Sequence, residues 1–124
     1  MATDPTSILT FVPAKDFDLS CRFYEALGFE AADTNTEVRY YGRGGSGFLL
    51  QNFYVKDWAN NFMMAMHVTD LDDWWAEVQA AVESGVFPGV RAKPPELEDR
   101  GMRVMHVWDP SGVLWHFTAE PDTA

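Results

Sequence analysis

The stretch Phe62-Met63-Met64-Ala65-Met66-His67-Val68-Thr69-Asp70-Leu71-Asp72-Asp73-Trp74-Trp75-Ala76-Glu77-Val78-Gln79-Ala80-Ala81-Val82 changes its hydrophobic period once, at Asp70. Before Asp70, the apolar run Phe62–Val68 reads as a strand. After it, Leu71, Trp74, Trp75, Val78 and Val82 recur at i, i+3, i+4, i+7 and i+11, one apolar stripe of an amphipathic helix. Asp70 stands at the N-cap, where a side-chain oxygen accepts an otherwise unpaired N–H. Asp72 and Asp73 follow in the first turn, where the helix dipole favours negative charge.

The same order occurs 54 residues earlier, with Leu9 matching Met63, Asp16 matching Asp70 and Phe17 matching Leu71. Ser7–Val12 has strand character and ends at Pro13. Asp16 then caps a helix carrying Phe17, Ser20, Phe23, Tyr24 and Leu27, and Gly28 stops it. Strands are expected near Phe29–Thr34, Glu37–Tyr41 and Phe48–Phe53. The glycine-rich segment Gly42–Gly47 lies between two strands and opens no helix, so it reads as a hairpin rather than a phosphate loop. Behind the second helix come two Pro-interrupted segments, a strand at Met102–Trp108, the turn Asp109-Pro110-Ser111-Gly112 and a strand at Val113–Thr118. A strand, a capped helix and three more strands, occurring twice, point to a duplicated unit. The expectation is an α+β fold in a single domain, residues 1–124, of two βαβββ modules spanning 7–54 and 62–119.

Composition narrows the function classes. Nineteen Asp and Glu against nine Lys and Arg give a formal charge of −10. Such a field disfavours nucleic acid and anionic lipid, and favours a cationic partner. No apolar run reaches the ~20 residues that span a bilayer. The opening residues lack the basic and apolar regions of a signal peptide, and Cys21 is a single cysteine. A cytoplasmic location is the expectation.

Phe17-Asp18-Leu19-Ser20-Cys21-Arg22-Phe23-Tyr24-Glu25-Ala26-Leu27-Gly28-Phe29 resembles the first-helix signature of the glyoxalase/bleomycin resistance protein/dioxygenase (vicinal oxygen chelate) superfamily. Trp108-Asp109-Pro110-Ser111-Gly112-Val113-Leu114-Trp115-His116-Phe117 resembles its closing hairpin. The His-Phe of the last strand and the acidic tail after it resemble the bleomycin-resistance proteins in particular. The resemblance implies eight strands in curved mixed sheets around a cleft, commonly completed by a homodimer.

Enzymes of that superfamily hold a divalent metal with four inward residues, and the matching positions here are Leu9, Gln51, Met63 and His116. Leu9 has no donor atom, and a thioether suits only soft metals. Two ligands fall short of the three that catalytic zinc normally has. His67 faces the side of Met63 but lies four residues along, roughly 13 Å away at ~3.3 Å per residue. His106 is expected opposite Trp115, on the other face. No metal and no other cofactor is therefore expected, and no catalytic set is found. Cys21 reads as a small core residue.

Strand alternation places Leu9, Phe11, Leu49, Gln51, Phe53, Met63, Ala65, His67, Leu114, His116 and Thr118 inward. Trp74, Trp75 and Trp115 fall to the core. The candidate ligand-binding residues are Gln51, His116, Phe11, Phe53, Met63 and His67, with Trp58, Tyr41 and Arg100 at the rim, where Tyr40 and Tyr54 are also expected. The bleomycin-resistance proteins tend to carry tryptophans where this chain has Ala65, His67 and Arg100, which removes three stacking surfaces. The expectation is sequestration of a small cationic or aromatic compound, an antibiotic among the candidates, in a cleft shared by two copies. Enzymatic activity is not expected. The alternative is a metal-dependent lyase, isomerase or dioxygenase with a degenerate metal site.

Overall fold

The computed structural model describes residues 1–98 and 101–121. Its elements run β1 (Phe11–Pro13), α1 (Phe17–Ala26), β2 (Glu30–Ala31), β3 (Val38–Arg43), β4 (Ser46–Gln51), α2 (Lys56–Asn60), β5 (Met63–His67), α3 (Leu71–Glu83), β6 (Arg91–Leu97), β7 (Arg103–Trp108) and β8 (Leu114–Ala119). They form an α+β fold of two four-stranded mixed sheets with one topology, β1-β4-β3-β2 and β5-β8-β7-β6. In each sheet the first strand pairs in parallel with the last. Both long helices begin at the expected caps. The Leu19 N–H donates to Asp16 and the Asp73 N–H to Asp70, each at 3.1 Å. Among the described residues, no helix is long and apolar enough to cross a membrane.

Local chemistry explains where strands differ from their expected bounds. Only Phe11–Pro13 of the first strand is laddered; beyond Thr10 the chain leaves the sheet and Ile8 is exposed. Gly44 and Gly45 both adopt positive φ between the paired residues Arg43 and Ser46, the conformation a two-residue hairpin requires. Strand β6 passes through Pro94 and Pro95, which lack N–H donors. It is an edge strand, and a register shift between Lys93 and Glu96 takes both prolines out of the ladder. The short α2 has no side-chain cap and gave no sequence signal.

One face of each sheet packs beneath its helix, and the two buried faces meet in a single core. Val12, Phe48 and Leu50 join Met105, Val107, Trp115 and Phe117, with Phe23, Tyr24 and Leu27 from α1 and Leu71 and Val78 from α3. Burying each such aromatic or aliphatic side chain is worth about 1.5–3 kcal/mol. Trp115 is buried, and Trp74 and Trp75 are half-buried against the core, Trp74 with its ring 5.3 Å from that of Phe117.

Polar groups also cross between modules. The Tyr24 hydroxyl donates to the Asp109 carboxylate at 2.5 Å and accepts from the Trp115 indole N–H at 2.9 Å. Asp109 further accepts the backbone N–H of Ser111 and Val113. The two stretches that carried the resemblance are thus bonded to each other. On the opposite side, Arg43 of the β3–β4 hairpin donates to the Leu27 carbonyl at 2.6 Å and pairs with Glu77 of α3 at 3.1 Å. Its guanidinium also lies 4.2 Å from the Trp74 ring centre.

Candidate functional site

Burial alternates along the central strands, so each sheet keeps one open face. On β8, Trp115, Phe117 and Ala119 are buried, while Leu114, His116 and Thr118 are half-buried. On β5, Met63, Ala65 and His67 are exposed. Pairing then extends the open face of the second sheet residue by residue. Met63, Ala65 and His67 stand beside Leu114, His116 and Thr118, and these stand beside Trp108, His106 and Val104. Arg91, Lys93 and Glu96 of β6 complete it. On the first sheet the corresponding face carries Phe11, Leu49, Gln51, Val38 and Tyr40.

Two expected positions change. Tyr41 is fully buried beneath α1, donating its hydroxyl to Glu25 at 2.9 Å, and so is absent from the rim. Adjacent strand residues point to opposite faces, and it is Tyr40 that turns outward. Its ring lies close against Gly42 and Gly47, where an added β-carbon would run into it. His106 likewise moves to the open face, directly opposite His116 with ring centres 4.9 Å apart. The cause is the closing hairpin. Gly112, at φ 90°, follows the turn in left-handed conformation, and Asp109 and Val113 remain bonded across it at 3.0 Å. That extra residue makes a three-residue loop with a glycine bulge and advances the register by one. The glycine at the fourth position of the turn, Gly112, was the signal for it.

The second face concentrates imidazole, indole and positive charge. The Arg91 guanidinium carbon lies 4.2 Å from the Trp108 ring centre, and the Lys93 amine lies 5.9 Å from it. His106 stacks on the same indole at 6.2 Å. Burial, followed by the charge of His116, lowers the His106 pKa below its ordinary value, while Glu98 and Glu96 oppose that shift. His67 bonds to Thr118 through Nδ1 at 3.2 Å.

The structure groups the sequence-expected residues in three places. Phe11 and Gln51 stand on the first sheet, and Met63, His67 and His116 on the second. Phe53 and Trp58 meet on the segment joining the modules, 6.4 Å apart, with Trp58 edge-on to Phe62. Arg100 lies outside the described residues. The registers also correct the match between modules. Phe11 pairs with Leu49 as Ala65 pairs with His116, so Leu49, not Gln51, is the counterpart of His116. Tyr40, expected near the rim, stands on the open face of the first sheet, and Arg91, Lys93, His106 and Trp108 join the second face without having been expected there.

A divalent catalytic metal does not fit this donor set. Leu9 and Met63 bring a hydrocarbon and a thioether, and the corrected match adds Leu49, another hydrocarbon. Among the described residues, no three His, Cys, Asp or Glu side chains gather closely enough to hold an ion. Cys21 is buried, with its thiol pKa raised chiefly by burial, which does not suit a nucleophile.

The sequence model of the Glyoxalase/Bleomycin resistance protein/Dioxygenase superfamily matches residues 7–117. No curated protein sequence matches. Among solved structures, the chain is similar to a bleomycin-binding protein from bleomycin-producing Streptomyces verticillus complexed with copper(II)-bleomycin, at 25% identity and a TM-score of 0.79, covering 96% of this chain and 98% of that one. It is similar to a second bleomycin-binding protein complexed with bleomycin, at 22% identity and a TM-score of 0.79, covering 95% and 99%. It is also similar to lactoylglutathione lyase from Agrobacterium tumefaciens, at 15% identity and a TM-score of 0.67, covering 94% and 95%.

Proposed function

The chain belongs to the Glyoxalase/Bleomycin resistance protein/Dioxygenase superfamily, and we propose that within it this protein binds and sequesters a small aromatic compound without a metal. The observation that carries this reading is the pairing of a failed metal donor set with open faces rich in aromatic and imidazole groups. The resemblance matches Leu9 and Met63 to metal positions that neither can fill, while Phe11, Tyr40, Trp108, His106 and His116 offer flat surfaces for stacking. Likeness to two bleomycin-binding proteins supports an antibiotic as the compound. The net charge of −10 favours some cationic character in the ligand as a whole. Sequestration in the cytoplasm would protect by mass action.

A second copy completes the site in this reading. Phe11 is 46% exposed and Met63 64% exposed, on β1 and β5, which are both edge strands. Unpaired edges with apolar side chains are costly to leave in water. A two-fold axis sets β1 of one copy beside β5 of the other, so that Gln51 and His116 look across one cleft. Sedimentation should give the mass of two chains, and a monomer at micromolar concentration would remove this part of the reading.

Thermal melting against saturating planar aromatic drugs, cationic ones included, tests the binding. A ligand at a hundred times its Kd adds about 2.7 kcal/mol, and the melting temperature should rise by several degrees. His116→Ala should abolish the rise. A complete panel without any shift rules the reading out. One observation favours a metal-dependent lyase, isomerase or dioxygenase instead, namely His106 beside His116, which places two imidazoles together. A stoichiometric divalent metal in protein purified without chelator, lost on His116→Ala, would establish that alternative.

A further inference from the structure

The charge that a ligand meets on the second sheet is opposite in sign to that of the whole protein. Of the arginines, Arg43 and Arg103 are paired with Glu77 and Asp72, and Arg39 donates to the Thr34 and Asn35 carbonyls. Arg91 and Lys93 differ. Both side chains are exposed on the open face, and among the described residues neither takes part in an ion pair. Their partner is the Trp108 ring, with Arg91 at 4.2 Å and Lys93 at 5.9 Å. A guanidinium laid on an indole keeps its N–H edges free, in the planar fork that matches a carboxylate, sulfonate or phosphate. Stacking also pre-orders the side chain, which lowers the entropy lost when an anion binds.

Distance decides which charge the ligand experiences. At physiological salt the screening length is about 8 Å, so the remote acidic surface is damped while charges in contact are not. Two carboxylates, Glu98 and Glu96, lie close enough to act on His106. Glu96 stands opposite Val104, beyond the bulge that holds Pro94 and Pro95. The register keeps Arg91, Lys93, Trp108, His106 and His116 contiguous.

We propose that this patch recognises a planar aromatic anion, whose ring packs beside Trp108 and His106 while its acidic group takes the N–H edge of Arg91 and the amine of Lys93. This rests on the reading that the open faces bind ligand, and it names the chemistry of one end of that ligand. A whole small molecule and the acidic end of a larger one both present such a group, with the same ring and charge.

Calorimetric titration of the wild-type chain with naphthalenesulfonate and with naphthylmethylammonium tests the inference, since the two probes share a ring and differ in charge. The sulfonate should bind about tenfold more tightly or better, as charge-assisted hydrogen bonds allow. Added salt should erode that preference. Arg91→Gln combined with Lys93→Gln should remove most of it while keeping the wild-type melting temperature, because both side chains are exposed on an edge strand. Equal or tighter binding of the ammonium probe overturns the inference, as does sulfonate binding unchanged by the double substitution. If the ammonium probe wins and is lost on His116→Ala, the ligand-binding reading stands and only the inference falls. If neither probe binds, both fall.

Discussion

The β7–β8 hairpin reaches α1 of the other module through Asp109 and Tyr24, and the β3–β4 hairpin reaches α3 through Arg43 and Glu77. Topology makes these two clasps equivalent, since each joins the closing hairpin of one module to the helix of the other. Their chemistry is unequal. Tyr24 is 1% exposed and Asp109 fully buried, whereas the Arg43 and Glu77 side chains are 37% and 47% exposed. A buried hydrogen-bonded group is costly to leave without its partner, while an exposed ion pair is worth about 1 kcal/mol or less. Duplicated modules can thus keep the same contact and distribute its energetic weight unevenly.

The comparison breaks most severely at Tyr24→Phe. That change leaves an Asp109 oxygen without its donor and the Trp115 indole N–H without its acceptor, both in the core. A loss of about 3 kcal/mol is expected, read as a fall of roughly 10 °C in melting temperature. A loss below 1 kcal/mol would mean that the two clasps are energetically alike.

Acid titration sharpens the difference further. Burial, the largest cause, raises the Asp109 pKa to about 6, while bonds from Tyr24 and from the Val113, Ser111 and Gly112 backbone pull it down. The unfolded chain holds an ordinary aspartate near 3.9. The folded state therefore keeps its proton to higher pH, so this group stabilises fully below about pH 4 and its contribution is lost as pH rises through 6. A shift of about two units corresponds to about 3 kcal/mol as an upper figure, so 2 to 3 is expected. Denaturant titrations of wild type and Asp109→Asn from pH 4 to 7.5 isolate it, because the other carboxylates cancel in the difference. The wild-type advantage should shrink by that amount as pH rises; a constant difference would show that Asp109 titrates normally in the fold.

The smallest effect belongs to the outer clasp. Arg43→Gln removes the ion pair with Glu77, a contact with the Trp74 ring and a bond to the Leu27 carbonyl. About 1 kcal/mol is expected from urea unfolding, declining with added salt as the ion-pair share is screened. A loss as large as that of Tyr24→Phe would erase the asymmetry.

The scaffold was legible because it rests on periodicity. The stripe through Leu71, Trp74, Trp75 and Val78, the caps at Asp16 and Asp70, and alternation in β5 and β8 each carry their own signal, and each recurs in the structure. The faces were less legible because they depend on register, where one residue reverses every side chain. Gly112 adds that one residue, and it carries His106 to the open side. Tyr40 and Tyr41 are neighbours in sequence, and only the pairing of Tyr41 with Phe48 and of Tyr40 with Leu49 tells them apart. Arg91 and Lys93 stood in a segment whose prolines hid a bulged strand.

The Tyr24–Asp109 bond closes a separation of 85 residues. During synthesis the first helix leaves the ribosome long before its partner exists, and the Tyr24 hydroxyl and the apolar face around it must wait. Contacts of such range are slow to form because the chain entropy of closing the loop is lost before any reward. Two modules that look separable on paper are in this way committed to maturing together, since the first helix stays incomplete until the β7–β8 hairpin arrives.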